Sequence, residues 1–177
     1  MSLPLPDASF DLALCQNSLQ YLSDRPVALR EMHRILAPGG RICVCVWRSL
    51  EHNPLSRLLQ ESIARRLNST PLALFPATAL GDADALRDLL ASAGFRDMSV
   101  VVQPLTVREP WDDTLVEQGL KAAASMLPMY ANMAPEELSG LAPATLDEIG
   151  PALQAFRRDA EIVYPMSAHI ATGWVRT

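Results

Sequence analysis

Three places in the chain hold side chains suited to chemistry. Cys15-Gln16-Asn17-Ser18-Leu19-Gln20 follows one short apolar run, and Trp47-Arg48-Ser49-Leu50-Glu51-His52 closes another. Groups at such run ends suit ligand binding, because the C-terminal ends of strands line the crevice of open α/β sheets. Trp47 could pack against a ligand. His52 could take a proton from an O–H group, since imidazole titrates near neutral pH; the alternative is an exposed loop histidine beside a helix cap. The third place holds Met126, Leu127, Met129, Tyr130 and Met133 within one short stretch. Methionine surfaces adapt to varied apolar ligands, and plain core packing is the alternative.

The remaining histidines and the cysteines carry less. His33 lies among polar residues and reads as solvated; His169 reads as structural. The histidines are not at metal-ligand spacing. Cys43 and Cys45 alternate along one run and face one side, with Cys15 on the adjoining run. A three-thiolate cluster is conceivable there, but buried unreactive cysteines are the commoner arrangement, and no metal is expected.

The elements that must position these groups are legible in outline. Phe10–Gln16 reads as a buried strand. Asp24 and Pro26 open a helix whose inner face is Ala28, Leu29, Met32, Ile35 and Leu36, and Pro38-Gly39-Gly40 is expected to close it. Arg41–Trp47 is apolar at every position after the first, which predicts a strand covered on both faces. Strand, helix and strand at this spacing form a right-handed crossover, so the fold class is α/β. Asn53-Pro54 caps a helix with Leu55, Leu58, Leu59 and Ile63 inward. Residues 69–80 read as a loop, Asp82 or Asp84 starts the next helix, Gly94 stops it, and a strand runs over 98–107. Thr114 with Glu117, and Thr145 with Glu148, fit the reciprocal capping pattern. Residues 111–158 therefore read as two or three helices, broken or kinked at Pro151. Ser167–Val175 is the last strand, expected to pair antiparallel.

Composition sets the limits. With 49% hydrophobic and 20% charged residues in 177, the chain has a globular balance and enough length to bury a core without disulfides or metal. A net charge of −5 argues against a nucleic-acid partner, which is usually held by the opposite balance. Three cysteines do not make a disulfide framework. There is no long apolar run for a membrane and no basic-then-apolar start, so a soluble cytoplasmic domain is expected.

Four segments together resemble class I S-adenosylmethionine-dependent methyltransferases of the small-molecule and quinone type. Leu5-Pro6-Asp7-Ala8-Ser9-Phe10-Asp11 resembles the family's entry into its fourth strand. Residues 29–40, LREMHRILAPGG, resemble its "LREMxRVLxPGG" helix and turn. Ala91–Phe95 resembles the "LxxAGF" passage, and Ala168–Gly173 the closing strand. The resemblance implies the C-terminal part of a Rossmann-like doubly wound sheet, the strands the family numbers 4, 5, 7 and 6. It also implies a helical lid insertion, 111–158, between the last two strands, all within one partial domain, 1–177.

By resemblance the cofactor is S-adenosylmethionine, and Cys15, Gln16 and Asn17 stand at the cofactor edge. Gln16 and Asn17 read equally as a strand-end cap. Leu19, Gln20, Trp47, Arg48, Met126, Met129, Tyr130 and Met133 fall on the acceptor side, and His52 is the one catalytic candidate. Methyl transfer is a direct displacement governed by alignment, so no fixed acid–base residue is required. No Asn/Asp-Pro-Pro-aromatic motif follows the first strand, which favours a small apolar or aromatic acceptor over a base. The family's glycine-rich G-x-G turn and its ribose-binding acidic residue have no counterpart here. Weak or absent cofactor binding, and inactivity of this chain alone, are therefore expected. A dehydrogenase reading would need its own glycine-rich turn. The alternative reading is a truncated, non-catalytic module that self-associates as a homodimer through the exposed first strand or a bare sheet face.

Overall fold

A computed structural model describes residues 2–74, 76–112, 114, 116–118 and 133–176. The chain divides into two compact units: Met1–Ser49, Ala77–Pro104 and Ser167–Thr177 form one, Leu50–Pro76 and Leu105–Met166 the other. The expected insertion, 111–158, falls inside the second unit.

In the first unit, strand β1 (Phe10–Gln16) leads through a short 3-10 turn, Leu19–Tyr21, to helix α1 (Arg25–Ile35). The Asp24 carboxylate accepts from the Val27 N–H at 2.9 Å and Pro26 sits in the first turn, the expected cap. Strand β2 (Leu36–Trp47) starts at once. The helix therefore ends at Ile35, earlier than Pro38-Gly39-Gly40 suggested. Those residues lie within β2, where the register against β1 shifts between Phe10 and Leu12. Gly39 adopts φ 79°, and a Cβ on Gly40 would meet the Ala37 carbonyl at 2.8 Å, so the glycines serve this irregular strand start. Helix α4 (Ala83–Ser92) is capped by Asp82, which accepts from Ala85 N–H at 2.7 Å. Gly94, φ 104°, turns the chain into strand β3 (Arg96–Pro110). The last strand, β5 (Glu161–Trp174), is longer than expected and carries a two-residue partner, β4 (Arg157–Arg158), which the sequence reading missed.

The sheet order is β1-β2-β5-β3, with β1 and β2 parallel and β2 and β5 antiparallel. This is the order expected for the rear half of the doubly wound sheet. Helices cover one face: Cys15, Ile42, Val44, Val46 and Ala171 pack with Leu29 of α1, Leu86 and Leu90 of α4, and Phe95. Leu29, Ile42, Val44, Val46, Leu86, Leu90 and Phe95 are fully buried. The other face corrects an expectation. Along β2 burial alternates, with Cys43, Cys45 and Trp47 only half-buried, while Leu12 is 42% and Leu14 71% exposed. Apolar residues at every position of Ile42–Trp47 do not mean two covered faces here, since α1 and α4 lie on the same side. The period of two also separates the thiols. Cys15 pairs with Val44 on the inner face, opposite the side of Cys43 and Cys45. No three-thiolate cluster forms, and no metal-binding group occurs among the described residues.

In the second unit, helix α2 (Pro54–Arg66) packs on helix α5 (Pro135–Leu153). Ile63 and Ala64 meet Leu141, Ala142 and Val116, while Leu55 joins Ile149, Leu153 and Ile162. Residues 69–80 are not a plain loop: they hold helix α3 (Pro71–Leu74) and a 3-10 turn, Pro76–Thr78. Thr145 and Glu148 lie inside α5 and do not start a helix. Thr145 is fully buried, and Glu148 turns to Arg65 and Arg66. Pro151 lies inside α5 without ending it. No helix is long and apolar enough to cross a membrane among the described residues.

Candidate functional site

The parallel pair β1–β2 brings two of the three predicted groups to one sheet edge. Gln16 pairs with Cys45, and the Asn17 N–H donates to the Cys45 carbonyl at 2.8 Å, so both strands end side by side. Asn17 takes φ 46°, a conformation asparagine tolerates, and this swings the chain into the 3-10 turn holding Leu19 and Gln20. That turn packs against β2. The antiparallel strand β5 adds Ser167 and His169 at the same end. His169 lies opposite Val46, the Arg48 N–H donates to the Ser167 carbonyl at 3.0 Å, and an Arg48 guanidinium N–H donates to Ser167 Oγ at 3.3 Å.

The predicted cofactor-edge residues separate by face. Cys15 is in the core at 5% exposure, and burial holds its thiol above the usual range, although Leu19 and Ser18 N–H groups oppose this. Gln16 is exposed, and Asn17 is half-buried with its Oδ1 unpartnered. Leu19 is fully buried in the core, so it shapes the site from below. Trp47 and Arg48 are half-buried at the end of β2.

Several buried polar atoms gather in this unit without protein partners: both amide atoms of Gln20, Asn17 Oδ1, and Nδ1 of His169. Gln20 is 1% and His169 3% exposed. Native folds leave few such atoms unsatisfied, and each costs about 1–3 kcal/mol when unpaired. A cleft of about 530 Å³ opens in the same unit, lined among others by Leu22, Arg25, Pro26, Leu80, Ala85 and Leu89. Arg25 crosses from this lining to donate to the Gln20 backbone carbonyl at 2.9 Å.

His169, read from the sequence as structural, is 3% exposed, with Nε2 3.0 Å from the Gly81 carbonyl oxygen. A lone histidine in an apolar strand gives no signal. Only the pairing with Val46 and the approach of Gly81 reveal its position. His33 is not a solvated surface group either: its ring meets Phe95 edge-on at 5.0 Å. His52 lies exposed in the second unit, in the turn Leu50–His52. Met133, also in that unit, packs against the Ile63 cluster. Met126, Met129 and Tyr130 lie outside the described residues.

The comparisons with known proteins find methyltransferases among those this chain is similar to. A family described as "Methyltransferase domain" matches residues 1–44. A ubiquinone/menaquinone biosynthesis C-methyltransferase, UbiE, of Pseudoalteromonas translucida is 31% identical over 110 residues, which cover 53% of this chain and 42% of that protein. The chain thus spans less than half the length of the curated relatives first matched. The YcgJ protein of Bacillus subtilis superposes with TM-score 0.53 at 17% identity, over 99% of this chain and 68% of that one. A SAM-dependent methyltransferase of Thermotoga maritima, described as a possible histamine N-methyltransferase, superposes with TM-score 0.51 at 20% identity, over 99% of this chain and 60% of that one. The two structural likenesses establish a shared fold.

Proposed function

For a chain belonging to the class I S-adenosylmethionine-dependent methyltransferases, whose family cofactor is S-adenosylmethionine, we propose that these residues form the acceptor-binding side of such an enzyme. The acceptor is a small, uncharged, apolar or aromatic molecule. The observation that carries this reading is the largely apolar cleft lined by Leu22, Arg25, Pro26, Leu80, Ala85 and Leu89, in the same unit as the unpartnered polar atoms of Asn17 and Gln20. Apolar walls with a few orienting polar groups are the usual make-up of a small-molecule site.

The residues present do not fit the whole cofactor. Ribose hydroxyls and the amino-acid end of S-adenosylmethionine call for a carboxylate and a closely approaching backbone. The polar side chains following the two strands, Asn17, Gln20, Arg48, Ser167 and His169, include no carboxylate, and the nearby Asp24 and Asp82 carboxylates are engaged as the caps of α1 and α4. The chain's own contribution in this reading is to bind and orient the acceptor. Gln20 and Asn17 hydrogen-bond it, Trp47 and Arg48 border it, and Gln16 with Asn17 stands nearest the methyl donor. Residues 111–158 are the acceptor-selecting insertion, through Met126, Met129, Tyr130 and Met133. His52, in the second unit, keeps the role of proton acceptor for an O–H substrate. The test is a nuclear magnetic resonance titration of the chain with small aromatic molecules. Shifts centred on Leu22, Leu80 and Leu89, abolished in Leu89→Glu, support the reading; shifts elsewhere, or none, overturn it.

A second reading rests on a different observation. Phe10, Leu12 and Leu14, the alternate residues of edge strand β1, are 40%, 42% and 71% exposed. An exposed apolar edge invites strand pairing. In this reading the chain is a non-catalytic homodimer joined through β1 and the uncovered sheet face. Light scattering at micromolar concentration distinguishes it: a dimer supports self-association, a monomer refutes it.

A further inference from the structure

The first unit holds another cleft, at the opposite end of the sheet. It has a volume of about 410 Å³ and is lined by Gly39, Asp97, Trp174, Val175 and Arg176, all in that unit. Gly39 stands near the start of β2 and Trp47 at its end. At about 3.3 Å per residue, roughly 26 Å of strand separates this cleft from the strand end that carries Trp47.

The backbone fixes its walls. Strand β5 runs antiparallel to β2, and Trp174 pairs with Arg41. One residue further, the Val175 N–H donates to the Gly40 carbonyl at 2.8 Å, and the Gly39 N–H donates to the Val175 carbonyl at 3.1 Å. Trp174 and Arg176 therefore flank a residue whose backbone N–H and C=O are both bonded. Gly39, at φ 79°, brings no side chain into the cleft. Asp97 begins β3 at φ 51°, a conformation aspartate tolerates better than most residues.

Three groups of different chemistry thus line one cavity: an indole ring, a carboxylate and a guanidinium. Trp174 is half-buried, while Asp97 and Arg176 are exposed. The two charges form no ion pair with one another or with any other described residue. A simple anion would be drawn to Arg176 and repelled by Asp97, and a simple cation the reverse. A neutral ring would engage neither. A zwitterion with a flat apolar body satisfies all three groups, by charge-assisted hydrogen bonds at its two ends and stacking on the indole. The cavity volume lies within the range of about 300–1,000 Å³ usual for small-molecule sites.

We infer that this cleft is a second small-molecule site, which takes a free amino acid with an aromatic side chain: its carboxylate on Arg176, its ammonium on Asp97 and its ring on Trp174. The site shares no residue with the cleft lined by Leu22 and Leu89. It does not rest on the acceptor-side reading, and either can fail alone.

The test is a ¹H–¹⁵N nuclear magnetic resonance titration of the full chain with L-phenylalanine and three relatives of it. Phenylalanine amide lacks the carboxylate, N-acetylphenylalanine lacks the ammonium, and alanine lacks the ring. L-Phenylalanine is expected to give saturable shifts at the Trp174 indole N–H and the backbone N–H groups of Gly39, Asp97 and Val175, half-complete at about millimolar concentration, as is usual for a ligand of this size. Each relative is expected to bind about tenfold more weakly, the worth of one charged hydrogen bond or of the ring contact. Arg176→Gln is expected to abolish the preference over the amide, and Asp97→Asn the preference over the N-acetyl form; asparagine also tolerates the positive φ at 97. No saturable shift at ten times that concentration, equal binding of the four probes, or shifts centred on Leu22 and Leu89 overturns the inference. The wild-type chain and the four probes decide it even where a variant fails to fold.

Discussion

Gly81→Ala tests how tightly the site is built. The added methyl would sit 2.3 Å from Ser49 N, 2.8 Å from Arg48 C and 2.8 Å from Ser49 Cα, all backbone atoms. Backbone cannot swing away as a side-chain tip can, so the 81 loop or the end of β2 must move. Overpacking of this kind costs about 1–3 kcal/mol, and weakening the His169–Gly81 bond adds about 1 kcal/mol. With a urea slope of about 2 kcal/mol per molar, the midpoint should fall by about 1–2 M. The matched control is Gly140→Ala, inside α5 with nothing within 4 Å of the added methyl. That substitution should stabilise its unit by about 0.5–1 kcal/mol through the helix preference of alanine. Urea titrations followed by circular dichroism, with the fluorescence of Trp47 and Trp174 reporting on the first unit, measure both. A Gly81→Ala chain within about 0.5 kcal/mol of wild type would refute the tight packing of the 81 loop against the end of β2.

Other perturbations have equally definite outcomes. Asp24→Ala removes the 2.9 Å cap bond to Val27 N–H and should cost about 1 kcal/mol in the same titration. Leu14→Lys, at a position 71% exposed, should leave the stability of a single copy within about 0.5 kcal/mol while shifting light-scattering mass from dimer to monomer. The Arg34 guanidinium and the Leu3 N–H hold the Glu31 carboxyl down to about 2 from an ordinary 4.5. A carboxyl lowered in the folded state adds stability that is complete above 4.5 and lost as pH falls toward about 2. Carbon-detected titration should find that midpoint, and Arg34→Leu should return it toward the ordinary value.

How much of this was legible in the sequence depended on locality. Asp24, Asp82 and Gly94 mark helix ends by chemistry confined to a few residues, and they stand where their types predict. The sheet order followed from four segments in register with one family and is borne out by the pairing of β2 with both β1 and β5. Where tertiary context decides, local signals misled. The string of apolar residues in β2 reads as two-sided burial, yet the second face is half-open because both helices lie on one side. Thr145 and Glu148 have the spacing of a capping box, but burial of Thr145 and the arginines of α2 place them in mid-helix. At the site, Gln20 and Arg48 were visible as residues following strands. The contact made by His169 was not, because it depends on a carbonyl contributed by a loop 88 residues away.

In the proposed reading these residues bind the acceptor, and S-adenosylmethionine weakly or not at all. Isothermal titration calorimetry with S-adenosylmethionine addresses this in a single experiment. No saturable heat at micromolar donor is expected, while a micromolar dissociation constant for the chain alone would overturn the reading.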